Sequence, residues 1–264
     1  MAAMSALRRL LPGWRVWVLG LAGLYFMVPL LATGGFSLWA GGDRYDFSAY
    51  ETLLQSSDFW DSLGLSVRLA LLTILISLAL LVPTVYWVQL RAQRLRPLME
   101  FLAVLPFVVP PIALVEGLAS VYTGPQWLVG TPDFLVVAYV ILALPYTYRA
   151  LDVGMRSLDI RTLSEAAQSL GANWPTLMLR AILPNLIGTL VGATLLTLAI
   201  VMGEFTFANV LLFNTFAVYI NYVGQTSGTE AAALSLLSFV MTWLAMAGIL
   251  ITGRRGQVQL GGAR

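Results

Sequence analysis

Apolar residues run through this chain in six long blocks: about Trp14–Phe36, Leu63–Val88, Phe101–Tyr122, Phe134–Leu151, Leu186–Phe213 and Ala231–Thr252. A helix crossing the hydrocarbon core of a bilayer needs about 20 apolar residues, and each block approaches or exceeds that length. The pattern predicts an all-α integral membrane protein with six transmembrane helices. Pro145 interrupts the fourth and shortest block. Pro29, Pro83, Pro106, Pro110 and Pro111 also fall inside blocks, as suits membrane helices kinked where neighbours re-satisfy the backbone.

One interval breaks the pattern. Between blocks four and five, residues from about 152 to 185 mix Ser164, Glu165, Gln168, Asn173 and Arg180 with a helical apolar period. Leu158, Leu163, Ala166, Ala167 and Leu170 recur at helical spacing, with Arg161, Glu165 and Gln168 mostly on other faces. Asp159 or Ser157 suits the N-cap, and Gly171 suits the left-handed position that ends a helix. Asn173 then suits a new N-cap, with Pro175 in the first turn. The second helix is expected over Trp174–Leu183, stopping at Pro184. The interval thus predicts a helix–glycine–helix outside the bilayer. Its alanine-rich face, with Ala166 and Ala167, lets another surface approach closely, and Glu165 offers one charge-assisted contact.

Charge orients the helices. All fifteen basic residues are arginine. Arg8, Arg9 and Arg15 precede block one, Arg91, Arg94 and Arg96 follow block two, and Arg149, Arg156, Arg161 and Arg180 lie between four and five. Arg254, Arg255 and Arg264 follow block six. The opposite loops carry Arg44 with seven acids, Asp43, Asp46, Glu51, Asp58, Asp61, Asp133 and Glu230. By the positive-inside rule both termini and the polar interval are cytoplasmic. Arg68, near the start of block two, snorkels toward the outer interface. The first block is too long for a signal h-region and reads as an uncleaved span. The whole is expected to be one membrane domain, 1–264, with a core of about 61–255.

Composition narrows the chemistry. The chain is 59% hydrophobic and 11% charged. It lacks cysteine, histidine and lysine. That removes disulfides, thiolate metal sites, Ser-His-Asp catalysis and the usual zinc sites. Without lysine there is no P-loop for ATP and no Schiff base. No catalytic residue, metal ligand or cofactor of its own is expected. The arginines flank membrane spans rather than forming one basic face, which gives no case for nucleic acid.

Within the blocks, Glu116 and Glu204 stand out. Carboxylates in a membrane are costly and usually face a bundle interior or cavity, so both are candidates for a substrate pathway. The alternative for each is a structural hydrogen bond between helices. Tyr122, Trp127, Tyr139, Phe205, Phe207, Tyr219 and Tyr222 either line a cation-friendly path or form an interfacial belt. Gly188 and Gly192, spaced GxxxG, allow close helix packing, including against a partner chain.

The polar interval carries one further pattern. Glu165-Ala166-Ala167, three residues, Gly171-Ala172, and then Leu183-Pro184 resembles the EAA loop of binding-protein-dependent ABC transporter permeases, the membrane subunits of bacterial importers. Ala181 stands where that family prefers isoleucine, with Ile182 one place later. The resemblance extends more loosely over about Asp61–Arg255. It implies a coupling helix seated in a separate dimer of ATP-binding cassette subunits, which would hold ATP and magnesium. It also implies a second permease subunit, usually a different chain, an extracytoplasmic solute-binding protein, and a place in the bacterial inner membrane. Glu165, Ala166, Ala167, Gly171, Ala172, Leu183 and Pro184 would form the coupling site.

The stretch Gly203–Gln225 looks most like permeases for spermidine or putrescine. Relatives on that branch carry iron(III), thiamine, opines or phosphonates. Two rivals remain: a proton-coupled secondary transporter relaying through Glu116 and Glu204, disfavoured by the lack of an inverted repeat, and an intramembrane enzyme built on the same two carboxylates.

Overall fold

In hydrocarbon the backbone has no water to bond, so an uninterrupted apolar run closes its hydrogen bonds on itself as helix. The structure, a computed structural model, describes residues 2–261, with side chains for 14, 16–125 and 127–251. The side chains of Arg8, Arg9, Arg15, Arg254, Arg255 and Arg264, which the orientation reading uses, lie outside the described set. In chain order the elements begin with α1 (Ala2–Ser37), a two-strand hairpin of β1 (Trp39–Gly41) and β2 (Arg44–Tyr45), α2 (Ser48–Gln55) and α3 (Ser57–Leu90). After a 3₁₀ turn come α4 (Arg96–Val108), α5 (Pro111–Val121), α6 (Gln126–Val129) and α7 (Phe134–Arg156). Then follow α8 (Ile160–Ser169), α9 (Trp174–Leu177), a π-helical turn over Met178–Ile182, and α10 (Leu183–Asn185). The chain ends with α11 (Ile187–Met202), α12 (Thr206–Val210), α13 (Phe216–Thr226) and α14 (Gly228–Gly261).

Among the described residues, five stretches are long and apolar enough to cross a membrane: Val16–Ser37, α3, α7, Ile187–Val210 and Gly228–Ile251. The expected third span differs. Val109 and Pro110 are both extended, with ψ 124° and 138°, so α4 and α5 meet at 107°. The cause is local: each residue that precedes a proline is driven out of the helical region, and Pro110-Pro111 does this twice in succession. Neither 13-residue α4 nor 11-residue α5 is long enough alone to cross about 30 Å of hydrocarbon. The single prolines act otherwise. Pro83, Pro106 and Pro145 lie inside continuous helices, so Pro145 does not interrupt the fourth span as the sequence suggested. Beside Pro83 the Thr84 hydroxyl donates to the Leu80 carbonyl at 2.6 Å.

Contacts sort the chain into two units. In the first, Met1–Ser56 with Ile220–Val240, the Ser37 and Tyr50 hydroxyls are 2.8 Å apart, and the Phe36 ring packs where a side chain on Gly228 would stand. The hairpin, which the sequence reading did not foresee, turns on Gly41 and Gly42, both at positive φ. In the second unit, Ser57–Tyr219 with Met241–Arg264, α3, α7 and α11 pack together as its central trio. One apolar cluster joins Leu69 and Ile74 of α3, Tyr139 of α7, Leu198 and Val201 of α11, Val115 of α5 and Phe207 of α12. A second joins Val82 and Tyr86 of α3, Leu151 and Met155 of α7, Ile160 of α8, and Leu177, Ile182 and Leu186. The membership shows that α3 and α7 run parallel and α11 antiparallel to both. The same order sets Arg91, Arg94, Arg96, Arg156, Arg161 and Arg180 at the end of the second cluster. At the other end Arg68 does more than snorkel: its Nη2 donates to both Asp133 oxygens, at 2.8 and 2.7 Å.

Within the trio, α7 and α11 approach closely at Gly154. A Cβ on Gly154 would lie 2.1 Å from Thr189 Oγ1 and 2.7 Å from Thr189 Cβ, so α7 and α11 touch there through a missing side chain. Gly192 has open space around it within this chain. Replacing Gly154 by Ala should therefore cost about 1–3 kcal/mol by overpacking, read as a lower thermal midpoint in detergent. Thr189→Gly in the same protein should restore most of the loss. Failure of that rescue would mean the two positions do not share one contact.

Candidate functional site

The polar interval folds as an arm whose inner face is fastened to the trio and whose outer face is bare. Asp159, rather than Ser157, caps α8: its carboxylate accepts from the Thr162 amide at 3.1 Å and the Thr162 hydroxyl at 2.7 Å. Those bonds, the hydroxyl foremost, hold the Asp159 carboxyl below its ordinary value of 3.8. Ser164 looks solvent-seeking in the sequence but is buried. Its hydroxyl donates to the Ile160 carbonyl and lies 2.9 Å from the Tyr86 hydroxyl of α3. Leu163 and Ala167 pack onto the second cluster.

The outward face therefore differs from the expected apolar stripe. Ala166 is exposed while Ala167 turns inward, and Leu170, grouped in the sequence with the packed positions, is 89% exposed. Glu165 is exposed beside it, held by Arg161 at 3.1 Å. Gly171 adopts φ +83° with nothing within 4 Å of a would-be Cβ, so the backbone conformation, not space, demands glycine. Asn173 accepts from the Thr176 amide at 3.0 Å and starts the next helix, with Pro175 in its first turn. That helix does not stop at Pro184. It passes through a π-helical turn into α10 and pauses only at Leu186 before α11, because proline is tolerated in a first helical turn. Ala172, Leu183 and Pro184 are half-buried. A cavity of about 360 Å³ opens at the elbow between Ala167, Leu170, Ala172, Asn173 and Arg180.

Beneath the arm lies a charge cluster that sequence reasoning missed. Asp152 is buried near the end of α7 and pairs with Arg156, one turn on. Gln89 of α3 donates to both its carbonyl and its Oδ1 at 2.9 Å. Arg96 of α4 approaches Asp152 at 3.9 Å and holds Glu100 at 3.0 Å, and Arg156 reaches Glu100 at 3.6 Å. The signal was present as two acid–arginine pairs at i, i+4. Only the fold makes them one network joining α3, α4 and α7.

The two intramembrane acids have separate fates. Glu204 sits where α11 ends, in the break Gly203–Phe205, and is buried. Its carboxylate accepts from the amides of Phe207 at 2.8 Å and Ala208 at 3.4 Å, taking the place of the missing helical turn. The expected fifth span, Leu186–Phe213, is thus two helices. The Tyr139 hydroxyl lies close to the same carboxylate without completing an aligned hydrogen bond. Glu116 is exposed on α5 and, among the described residues, has no ion-pair or hydrogen-bond partner. The structure packs α5 against α12 but pairs Glu116 with nothing on it. Tyr122 leans on Phe134 at 5.4 Å, Phe205 is half-buried in the break, and Tyr219 is buried in α13. Gly188 is exposed. Leu212, after α12, holds φ +60° while 90% exposed, a strained turn that no sequence pattern announced.

No family model and no curated protein matches the sequence. Solved structures do. A chain in the crystal structure of a bacterial ABC transporter involved in the import of the acidic polysaccharide alginate superposes with a TM-score of 0.66 at 17% identity, covering 92% of this chain and 96% of that one. A chain of the bacterial alginate ABC transporter in complex with an alginate pentasaccharide-bound periplasmic protein gives 0.70 at 13% identity, covering 94% and 96%. The fold is therefore one found in an ABC importer.

The Asp159 cap carries a pH signature. A carboxyl whose folded pKa is depressed stabilises above its unfolded pKa, and the contribution disappears as pH falls through the folded value. The cap is complete at neutral pH and lost only in acid below 3.8. Hydrogen exchange at the Thr162 amide should accelerate there, beyond its intrinsic pH dependence. Asp159→Asn, itself a good N-cap, should abolish that transition. Unchanged protection of Thr162 across the range would remove Asp159 as the cap.

Proposed function

We propose that this chain is the membrane-embedded permease subunit of a bacterial ATP-driven ABC importer, with α8 as the helix that seats in a separate ATP-binding subunit. One observation carries the reading. The segment with EAA spacing stands outside every apolar helix, at the arginine-rich end, in a chain whose fold matches that of an ABC importer chain over more than nine-tenths of both. Its outer face, with Glu165, Ala166 and Leu170, is small-featured and unpartnered apart from Arg161, as a surface awaiting a groove requires. The arginine-rich end would be cytoplasmic in the inner membrane, with both termini there. ATP and magnesium would be held by the partner. A second, different permease chain would complete the pathway, and an extracytoplasmic binding protein would deliver cargo.

The mechanics follow from how α8 is fastened. A push on its outer face reaches α3 through Ser164 and Tyr86, and α7 through Ile160 and Met155. It reaches α4 through Asp152, Arg96 and Arg156. Since α4 leads into the bend at Pro110, the broken helix is the part best placed to turn displacement into a change of access.

Cargo follows from different residues. The polyamine reading began from the likeness of Gly203–Gln225 to spermidine and putrescine permeases, with two intramembrane acids tilting it toward a cation; Glu204, spent on backbone amides, lends it no support. Glu116 does, because an unpaired carboxylate cannot face lipid cheaply and calls for water, cargo or a partner chain. We therefore keep a cationic cargo such as spermidine or putrescine, resting on that likeness and on Glu116, with iron(III), thiamine, opines and phosphonates as alternatives.

Two experiments separate these layers. Glu165→Arg, or Gly171→Asp at its positive φ, should leave the chain in the membrane but abolish ATP-driven uptake. Normal uptake by either variant in complex with a stoichiometric ATPase would overturn the coupling assignment. For the cargo, Glu116→Gln should lower polyamine uptake about tenfold or more, the worth of one charge-assisted contact. Uptake unchanged by that substitution would remove the polyamine reading and leave the importer standing.

A further inference from the structure

At the arginine-rich end, the last turn of α3 and the α8–α9 elbow enclose a cleft of about 570 Å³, lined by Tyr86, Trp87, Leu90, Arg91, Gln168 and Trp174. Its inner wall is apolar, and the Tyr86 hydroxyl there is already engaged with Ser164. The exposed side chains of Arg91, Trp87, Trp174 and Gln168 line the cleft too, bringing a guanidinium, two indoles and a carboxamide. Among the described residues none of these four side chains has a hydrogen-bond or ion-pair partner. No acid lines the cleft, and the nearby Glu165 is held by Arg161.

We propose that this cleft binds an anionic phospholipid, its phosphodiester at Arg91 and the two indoles and its upper acyl chain along Leu90 and the Tyr86 ring. Three features select that occupant. A phosphodiester is acceptor-only and complements a rim that is almost donor-only. The cleft sits where a membrane-spanning helix ends, with tryptophan in its last turn and arginine just beyond, the depth at which headgroups lie. The apolar wall needs methylene groups beside the charge, which a phospholipid supplies in one molecule. A lipid seated there bridges α3 to the α8–α9 elbow through Trp174. The inference is independent of the importer reading, which rests on the outer face of α8.

The test uses the full chain reconstituted in nanodiscs of phosphatidylcholine with phosphatidylglycerol. Retained lipid is counted by native mass spectrometry, and tryptophan quenching is read with brominated phosphatidylglycerol. One phosphatidylglycerol should be retained in preference to phosphatidylcholine and should quench part of the emission. Arg91→Gln should weaken the preference about fivefold, the worth of one cation at an anionic headgroup. Arg94→Gln, outside the cleft, should leave it unchanged, and Gln168→Trp, which fills the cleft, should abolish retention. Equal losses with Arg91→Gln and Arg94→Gln would reduce the effect to surface charge and overturn the site. Retention by the Gln168→Trp protein would do the same. Displacement by inorganic phosphate would identify a soluble-anion site instead, and displacement by the ATP-binding subunit a protein-docking surface.

Discussion

Backbone amides inside hydrocarbon must find acceptors within the protein, and the architecture turns on how that requirement is met where helices break. α11 ends at Met202 and α12 begins at Thr206, so a first helical turn is opened in a region without water. The Glu204 carboxylate closes it by accepting from Phe207 and Ala208. With those amides satisfied, α12 can turn Phe207 into the cluster shared by α3, α5, α7 and α11. Glu204, which the sequence left open between a pathway residue and a structural hydrogen bond, acts here as a helix cap and is buried. The second break obeys a different rule: at Val109 and Pro110 successive proline rings exclude helix, and the bend needs no side-chain cap.

At the opposite end of the trio the problem is charge rather than backbone. Asp152 is buried, which would be costly alone, and it survives because Gln89, Arg156 and Arg96 converge on it. Those partners come from α3, α7 and α4, so a single buried carboxylate ties together the three helices on which the polar arm rests. The arm adds its own tie through Ser164 and Tyr86. The result is a segment fastened on its inner face and bare on its outer one.

Much of this was legible beforehand, and the reasons differ by element. The long helices follow from runs of apolar residues, because hydrocarbon admits little else. The caps at Asp159 and Asn173 and the left-handed Gly171 follow from local chemistry, since a short side-chain acceptor or a missing Cβ acts within four residues. Other outcomes required a partner distant in sequence. Ala167 and Leu170 share a helical stripe, yet Ala167 packs on the cluster that includes Tyr86 of α3 and Leu177 of α9 while Leu170, a turn on, is exposed. Gly154 carries no motif, and its importance comes only from Thr189 opposite.

Pattern and composition were enough to establish a helical membrane protein with its arginines biased to one side, a capped helix–glycine–helix, and the absence of any P-loop of its own. These properties are set by solvent, by residues a few positions apart, or by chemistry the chain lacks. Which alanine faces outward, which glycine meets a threonine, and which charges converge on Asp152 depended on helices brought together across the fold. Packing and hydrogen bonding between distant segments are absent from any local window, and those interactions made the choice.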